Sequence, residues 1–277
     1  MGWPADIPAS AHLFVASAAE LTDALDVSGE DAHHLARVLR LRTGETVTVA
    51  DGTGWWRAYR LASADGASGG PVRSPAGALV LRIEALGEAR REPAPTPRLA
   101  VAFALTKGEK PDLVVQKLTE LGIDRIVPVL AERSVARPDG AKGRAAAERW
   151  RRIAREAARQ CRRATLPVVE DLGPLEGLAG HPGLVAAERG GGSADTLGPP
   201  PGGELLVVVG PEGGLAGAEV EALKPWARLG LGPHILRAET AAIAAGALLA
   251  ARRADGFRSV GESAEKGGGG SGGGGGS

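Results

Sequence analysis

The sequence predicts an α/β protein in two parts: a small β-rich domain over residues 1–89, then a larger domain over 99–260 built on a mostly parallel sheet. Three observations lead there. From Leu99 onward, apolar runs of strand length alternate with helix-periodic segments, as in βαβ units. Before residue 88 the apolar residues fall instead in short segments, several with a period of two. Between these patterns lies Arg90–Pro97 with its three prolines, read as the heart of a linker over 90–98. The last eleven residues read GGGGSGGGGGS, so 261–277 are expected to be a disordered tail outside the fold.

Each element has its own local reason. Ser28-Gly29-Glu30-Asp31 has the pattern of a capping box at a helix start. Leu35, Val38 and Leu39 then share one helical face, and His33, Arg37 and Arg40 another, before Gly44 breaks the chain. Thr46–Val49 alternates as a half-buried strand does, Asp51-Gly52-Thr53-Gly54 signals a turn, and Trp55–Leu61 is an aromatic strand. Trp55 and Trp56, being adjacent, point to opposite sheet faces and are expected to pack against protein rather than against a base. Ala62–Gly77 reads as a loop and Ala78–Ile83 as a strand.

In the second part, Leu99–Leu105 is apolar almost throughout, which suits a strand buried on both faces. Pro111 fits a first helical turn, Leu113, Val114, Leu118 and Leu121 make an apolar face, and Gly122 suits the helix end. Ile126–Leu130, Gly183–Ala187, Leu205–Val209 and Leu229–Leu231 are strands; Arg144–Ala164, Glu219–Leu223 and Glu239–Ala254 are helical. Gly246 inside the last helix costs about 1 kcal/mol relative to alanine, which points to close backbone packing, a dimer contact being one option.

Composition bounds the function classes. A single cysteine, Cys161, excludes an internal disulfide and a cysteine-clustered metal site. The longest apolar stretch free of charge, Thr240–Ala251, is too short to span a bilayer. No Lys or Arg precedes Arg37, so a signal peptide is not expected and a cytoplasmic protein is. Basic and acidic residues balance at 33 each, so total charge says nothing about partners. The distribution says more: Arg133–Arg163 holds eleven basic residues against three acidic ones, which fits either a polyanion partner or a solvated face. Within it, Trp150, Ile153, Ala154, Ala157 and Cys161 form an apolar stripe, and Arg151, Arg155, Arg159 and Arg162 a basic one whose like charges repel in the absence of a partner.

Ligands of open parallel sheets bind beyond the carboxyl ends of the strands. The candidate loops therefore follow Leu105, Leu130, Ala187, Val209 and Leu231. Two stand out. Gly210-Pro211-Glu212-Gly213-Gly214 lets a backbone approach a ligand closely, although a plain strand-to-helix turn has the same composition. Leu231–Thr240 turns at Gly232-Pro233 and starts a helix near Arg237, where Glu239 and Thr240 either serve a site or merely cap the helix. Before the Gly/Ser tail the chain has neither a GxGxxG dinucleotide fingerprint nor a GxxxxGK[ST] phosphate loop, which excludes the nicotinamide Rossmann class.

Seven segments in order, His12-Leu-Phe14, His33–Arg40, Leu105-Thr-Lys-Gly108, Gln116–Gly122, Glu132-Arg-Ser134, Gly210–Gly214 and Leu236-Arg-Ala-Glu-Thr240, resemble the RsmE family. These are SPOUT-superfamily methyltransferases that form N3-methyluridine in the 16S RNA of the small ribosomal subunit. The resemblance implies a PUA-like N-terminal domain, a SPOUT-type C-terminal domain with a deep trefoil knot, bound S-adenosylmethionine (SAM), and a homodimer with active sites at its interface, without a metal. It implies that Gly210, Pro211, Glu212, Gly213, Gly214, Leu231, Gly232, Ile235, Leu236 and Thr240 hold SAM. Arg37, Arg40 and Arg42, with Arg151, Arg155, Arg159 and Arg162, are the residues expected to contact RNA. Where the family often has LGxRILRTET, His234 and Ala238 stand here, and Arg159 and Arg162 depart from the pattern around Gln160.

Methyl transfer from a sulfonium is an in-line displacement that needs alignment above all. Uridine N3 is a poor nucleophile while protonated, so the site must remove its proton or stabilise the anion. Arg237 is expected to stabilise a uracil oxygen. Glu239 is either the base or the group that orients Arg237, the second being favoured because a neighbouring guanidinium makes a carboxylate a weaker base. Two other readings are another SPOUT enzyme acting on ribose or transfer RNA, and a non-catalytic RNA binder that kept the fold.

Overall fold

The computed structural model describes residues 3–62, 72–73 and 79–257. Most of the expected Ala62–Gly77 loop and all of the expected tail over 261–277 lie outside these residues. The chain divides into two compact units: residues 1–95 with 149–167, and residues 96–148 with 168–277.

The first unit is a β-sheet domain. Its strands are β1 (Ala11–Phe14), β2 (Ala24–Ser28), β3 (Thr46–Ala50), β4 (Trp55–Leu61), β5 (Val72–Arg73), β6 (Leu79–Ala85) and β7 (Arg90–Arg91). The sheet runs β1-β3-β4-β6-β2; β1 and β3 are parallel and the other pairs antiparallel. Leu13, Val47, Val49, Tyr59, Leu81 and Ile83 form its core with Leu35 from the helical segment. Asp51 makes the expected turn: its carboxylate accepts hydrogen bonds from Thr53 N (2.7 Å), Thr53 Oγ1 (2.7 Å) and Trp55 N (3.1 Å). Trp56 is buried and Trp55 half-buried, each with an arginine over its ring. The expected linker begins inside this unit, because β7 pairs with β4 and Glu92 is buried.

Two local expectations fail here. Ser28 makes no capping hydrogen bond to α1 (Gly29–His33). The carboxylate that would complete the box, Asp31, instead pairs with Arg159 at 3.0 Å. Beyond α1 the chain widens into a π turn, His34–Val38, and reaches a positive φ of 53° at Arg40. That turn breaks the 3.6-residue period, so only Leu35 of the predicted apolar face is buried, while Val38 and Leu39 are exposed.

The second unit has a parallel sheet in the order β10-β9-β8-β13-β12-β14, where β8 is Arg98–Ala104, β9 Arg125–Leu130, β10 Val168–Val169, β12 Leu184–Gly192, β13 Glu204–Val209 and β14 Ala227–Leu229; β11 (Gly173–Pro174) pairs with β9. Both faces are covered. Ala100, Ala102, Val127, Val129, Leu206 and Val208 pack on Leu175, Leu178 and Leu223, while α5 (Ala238–Ala254) lies against β8 and α2 (Lys110–Glu120). Each fully buried Val or Leu contributes about 1.5–3 kcal/mol. Gly246 has an internal reason in this packing: a Cβ there would lie 2.5 Å from Leu118 Cδ2. α3 (Gly140–Cys161) is shared, residues 140–148 grouping with the second unit and 149–161 with the first.

At the amino ends of the strands Arg125 bonds Glu204 and, at 2.7 Å, Glu170, and His181 Nε2 lies 3.0 Å from Glu204. Arg125 thereby draws the Glu204 carboxyl below its ordinary pKa against the opposing effect of burial. This end is closed by ion pairs, so chemistry belongs at the other. No helix among the described residues is long and apolar enough to cross a membrane.

Candidate active site

A cavity of about 240 Å³ opens at the carboxyl ends of β12, β13 and β14. Three loops build it, for three local reasons. Ala187 and Gly192 both align with Leu229 of β14, so residues 188–191 leave the ladder and bring Glu188 and Arg189 to the cavity wall. After β13, Gly210–Leu215 folds back on itself: a Cβ on Gly210 would lie 2.8 Å from Leu215 N, and Gly214 takes a φ of 70°. After β14 the chain passes Leu231–Leu236 and enters α5 (φ 125° at Gly232), with Arg237 at the N-cap.

Eight of the ten expected cofactor residues line this cavity: Gly210, Pro211, Glu212, Gly214, Leu231, Gly232, Ile235 and Leu236. The other two stand just outside. Gly213 supports the loop from behind, its carbonyl accepting a 2.6 Å hydrogen bond from Arg133 Nη1. Thr240 is exposed in the first turn of α5. His234 belongs to the wall and is exposed. Val209, Leu215 and Ile235 give apolar surface; Glu188, held by Arg228 at 2.6 Å, gives a fixed carboxylate.

Arg237 is exposed between the wall residues Leu236 and Ala238. Glu239 is nearly buried, with a side chain 11% exposed, and the cation facing it is Lys110: Nζ lies 3.3 Å from Glu239 Oε2. The same ammonium lies 3.4 Å from Glu212 Oε1. Sequence reasoning named the loops after Leu105, Leu130 and Ala187 but chose no residue in them. Lys110, Arg133, Glu188 and Arg189 are what those loops supply. Their position just past strand ends was the available signal.

All seven arginines expected to meet RNA lie in the first unit. Arg37, Arg40 and Arg42 are exposed, as is Arg151. Arg155, Arg159 and Arg162 bond within the fold. Arg155 stacks 4.9 Å from the Phe14 ring centre and donates to Phe14 O at 3.3 Å; Arg159 pairs with Asp31; Arg162 donates to Ile7 O at 3.0 Å and to Ala9 O. The repulsion expected along this stripe is therefore relieved inside the protein, by a carboxylate and by backbone carbonyls.

Known proteins resemble the chain in sequence and fold. Residues 92–250 match the family model of an RNA methyltransferase domain, and residues 27–66 that of an RNA methyltransferase PUA domain. The chain is 34% identical over 229 residues to the ribosomal RNA small subunit methyltransferase E of Bacillus subtilis, covering 78% of this chain and 85% of that one. It is 36% identical over 232 residues to the protein of the same name from Mycobacterium bovis, covering 79% and 83%. The crystal structure of the Neisseria gonorrhoeae ribosomal RNA small subunit methyltransferase E, bound to SAM, superposes with a TM-score of 0.68 at 25% identity over 86% of this chain and 96% of that one. A putative methyltransferase from Legionella pneumophila, in complex with SAM, gives 0.68 at 26% identity over 87% and 96%. With its PUA-like β domain, its parallel α/β domain and a glycine-walled cavity at the strand ends, the chain belongs to the RNA methyltransferase family whose members bear the name ribosomal RNA small subunit methyltransferase E.

Proposed function

We propose that the chain transfers a methyl group from SAM to N3 of a uridine in the 16S RNA of the small ribosomal subunit. The observation that carries the reading is the cavity at the carboxyl ends of β12–β14, walled by Gly210–Leu215 and Leu231–Leu236, with Arg237 and Glu239 directly beside it. Its walls fit SAM. Val209, Leu215 and Ile235 offer apolar surface to a purine, the glycines offer main-chain polar groups at close range, and Glu188 and Glu212 suit a cationic ligand with ribose hydroxyls. SAM supplies an electrophilic methyl group on a sulfonium.

The chain's own residues do the rest. The two loops hold ligand and nucleobase in line. Arg237 offers its guanidinium to a uracil oxygen, where charge accumulates as N3 loses its proton. Glu239, whose buried carboxylate faces Lys110 across 3.3 Å, serves to hold the head of α5 beside Arg237 rather than to act as the base. Arg37, Arg40 and Arg42 contact RNA phosphates, whereas Arg155, Arg159 and Arg162 serve the fold of the first unit. The enzyme works in the cytoplasm, without a metal, as a homodimer with the trefoil-knotted threading of its family.

Mass spectrometry of small-subunit RNA tests the reading. Cells lacking the protein lose one N3-methyluridine. The wild-type gene restores it, and Arg237→Ala does not, although the purified variant still binds SAM by calorimetry. Retention of the modified nucleoside in the deletion strain sinks the assignment of substrate; restoration by Arg237→Ala sinks the role of the arginine.

A further inference from the structure

Lys110 opens α2, where its charge faces the positive end of the helix dipole. A cation there needs compensation, and two carboxylates from elsewhere in the chain supply it. Glu212 belongs to the loop after β13 and lines the cavity; Glu239 belongs to the first turn of α5. Lys110 Nζ lies 3.4 Å from the first and 3.3 Å from the second. Glu239 Oε2 is buried and makes no directional hydrogen bond among the described residues, and the lysine offsets its charge together with the start of α5. One ammonium thus joins the segments that follow β8, β13 and β14.

We propose that Lys110 is a positioning residue for the methyl-transfer site: it clips the Gly210–Gly214 loop to the head of α5 and so keeps the two walls of the cofactor cavity at their working separation. The inference rests on the methyltransferase reading above. It predicts that Lys110 acts through Glu212 and Glu239 and touches neither SAM nor RNA. Loss of the clip loosens the cavity, and another cation of similar reach restores it.

Calorimetry with SAM on the full chain, together with steady-state kinetics on small-subunit RNA, tests this. Lys110→Met is expected to weaken SAM binding about tenfold and Lys110→Arg to stay within about twofold of wild type. The KM for SAM rises while the KM for RNA holds, a split that a general loss of structure does not produce. Adding Lys110→Met to Glu212→Gln costs less than it does in the wild type, because one clip is broken only once. Glu212→Gln alters a half-exposed side chain and keeps the cycle readable even if Lys110→Met folds poorly. A wild-type chain that takes up no SAM sinks both this inference and the function it rests on. A wild type that binds, beside a Lys110→Met that binds equally well or a cycle that is fully additive, sinks the clip alone. Tighter binding of SAM relative to S-adenosylhomocysteine in Lys110→Met also overturns it, by showing that the ammonium acts on the ligand's charge.

Discussion

His12 on β1 lies between Thr48 Oγ1, 2.8 Å from Nδ1, and Arg163 O, 3.1 Å from Nε2. A carbonyl only accepts, so Nε2 carries the hydrogen and Nδ1 accepts from the threonine. Burial lowers the pKa of His12 to about 4, with Arg162 and Arg159 acting in the same direction. Glu92 is the opposite case. Burial raises its carboxyl to about 7, and its Oε1 has no hydrogen-bond partner among the described residues. The signs follow from which form the folded state prefers. His12 stabilises the first unit above its ordinary pKa of 6.5, and that contribution is lost as pH falls through about 4. Glu92 favours folding below its ordinary 4.5, and that contribution is lost as pH rises through about 7. Urea unfolding followed by tryptophan fluorescence suits the test, because Trp3, Trp55, Trp56 and Trp150 all belong to this unit. Glu92→Gln should gain stability relative to wild type as pH rises from 4.5 to 7, and His12→Gln should lose less than wild type on acidification from 6.5 to 4. Parallel pH profiles for wild type and Glu92→Gln would show that the acid is not buried in solution. Nothing near residue 92 in the sequence announces its burial; the strand that covers it, carrying Trp55 and Trp56, is more than thirty residues away.

Among the elements, the strands of the second unit were the most legible, because a continuous apolar run needs no partner to be recognised. The helix after Ser28 was the least, since tertiary pairing of Asp31 and a π turn overrode the local pattern. The glycines of β12 show what a linear reading misses. Gly190 has a φ of 80° and open space around it, so alanine there carries only backbone strain of about 1–2 kcal/mol. Gly191 faces a neighbouring backbone instead: a Cβ would meet Leu229 C at 2.5 Å and Gly230 N at 2.6 Å. Main chain has no rotamer to yield, so Gly191→Ala should destabilise by about 3 kcal/mol or more and spoil the cavity wall that begins at Glu188. Thermal melting of both variants checks the ranking. Equal melting temperatures would mean that the close passage of β12 by β14 is looser than described. In the sequence both positions are simply members of a glycine triplet; only the fold tells crowding from strain.

At the scale of the whole molecule, a family resemblance pointed to the loops that wall the cavity, while three arginines of the basic helix stripe, Arg155, Arg159 and Arg162, have their partners inside the first unit. A basic stripe looks the same in a sequence whether it awaits a phosphate or already holds a carbonyl. The exposed set Arg37, Arg40 and Arg42 should therefore dominate the salt dependence of RNA binding. Replacing all three with alanine should reduce the slope of log K against log salt by about 2, as for three single-strand phosphate contacts. Arg155→Glu should instead lower thermal stability through its lost contacts with Phe14. Filter binding across a salt series decides, and an unchanged slope in the triple variant would move the RNA to another face. The same arginines carry a consequence for biosynthesis. The first unit is discontinuous, needing residues 149–167 to complete what 1–95 begin. A ribosome delivers chain from the amino end. The β domain therefore emerges before the arginines that bond the Ile7, Ala9 and Phe14 carbonyls and the Asp31 carboxylate, and waits until the strands β8 and β9 have also been made before its closing helix arrives. A fragment ending at residue 95 should for that reason be an incomplete domain, and nascent chains halted before residue 167 should remain sensitive to proteases.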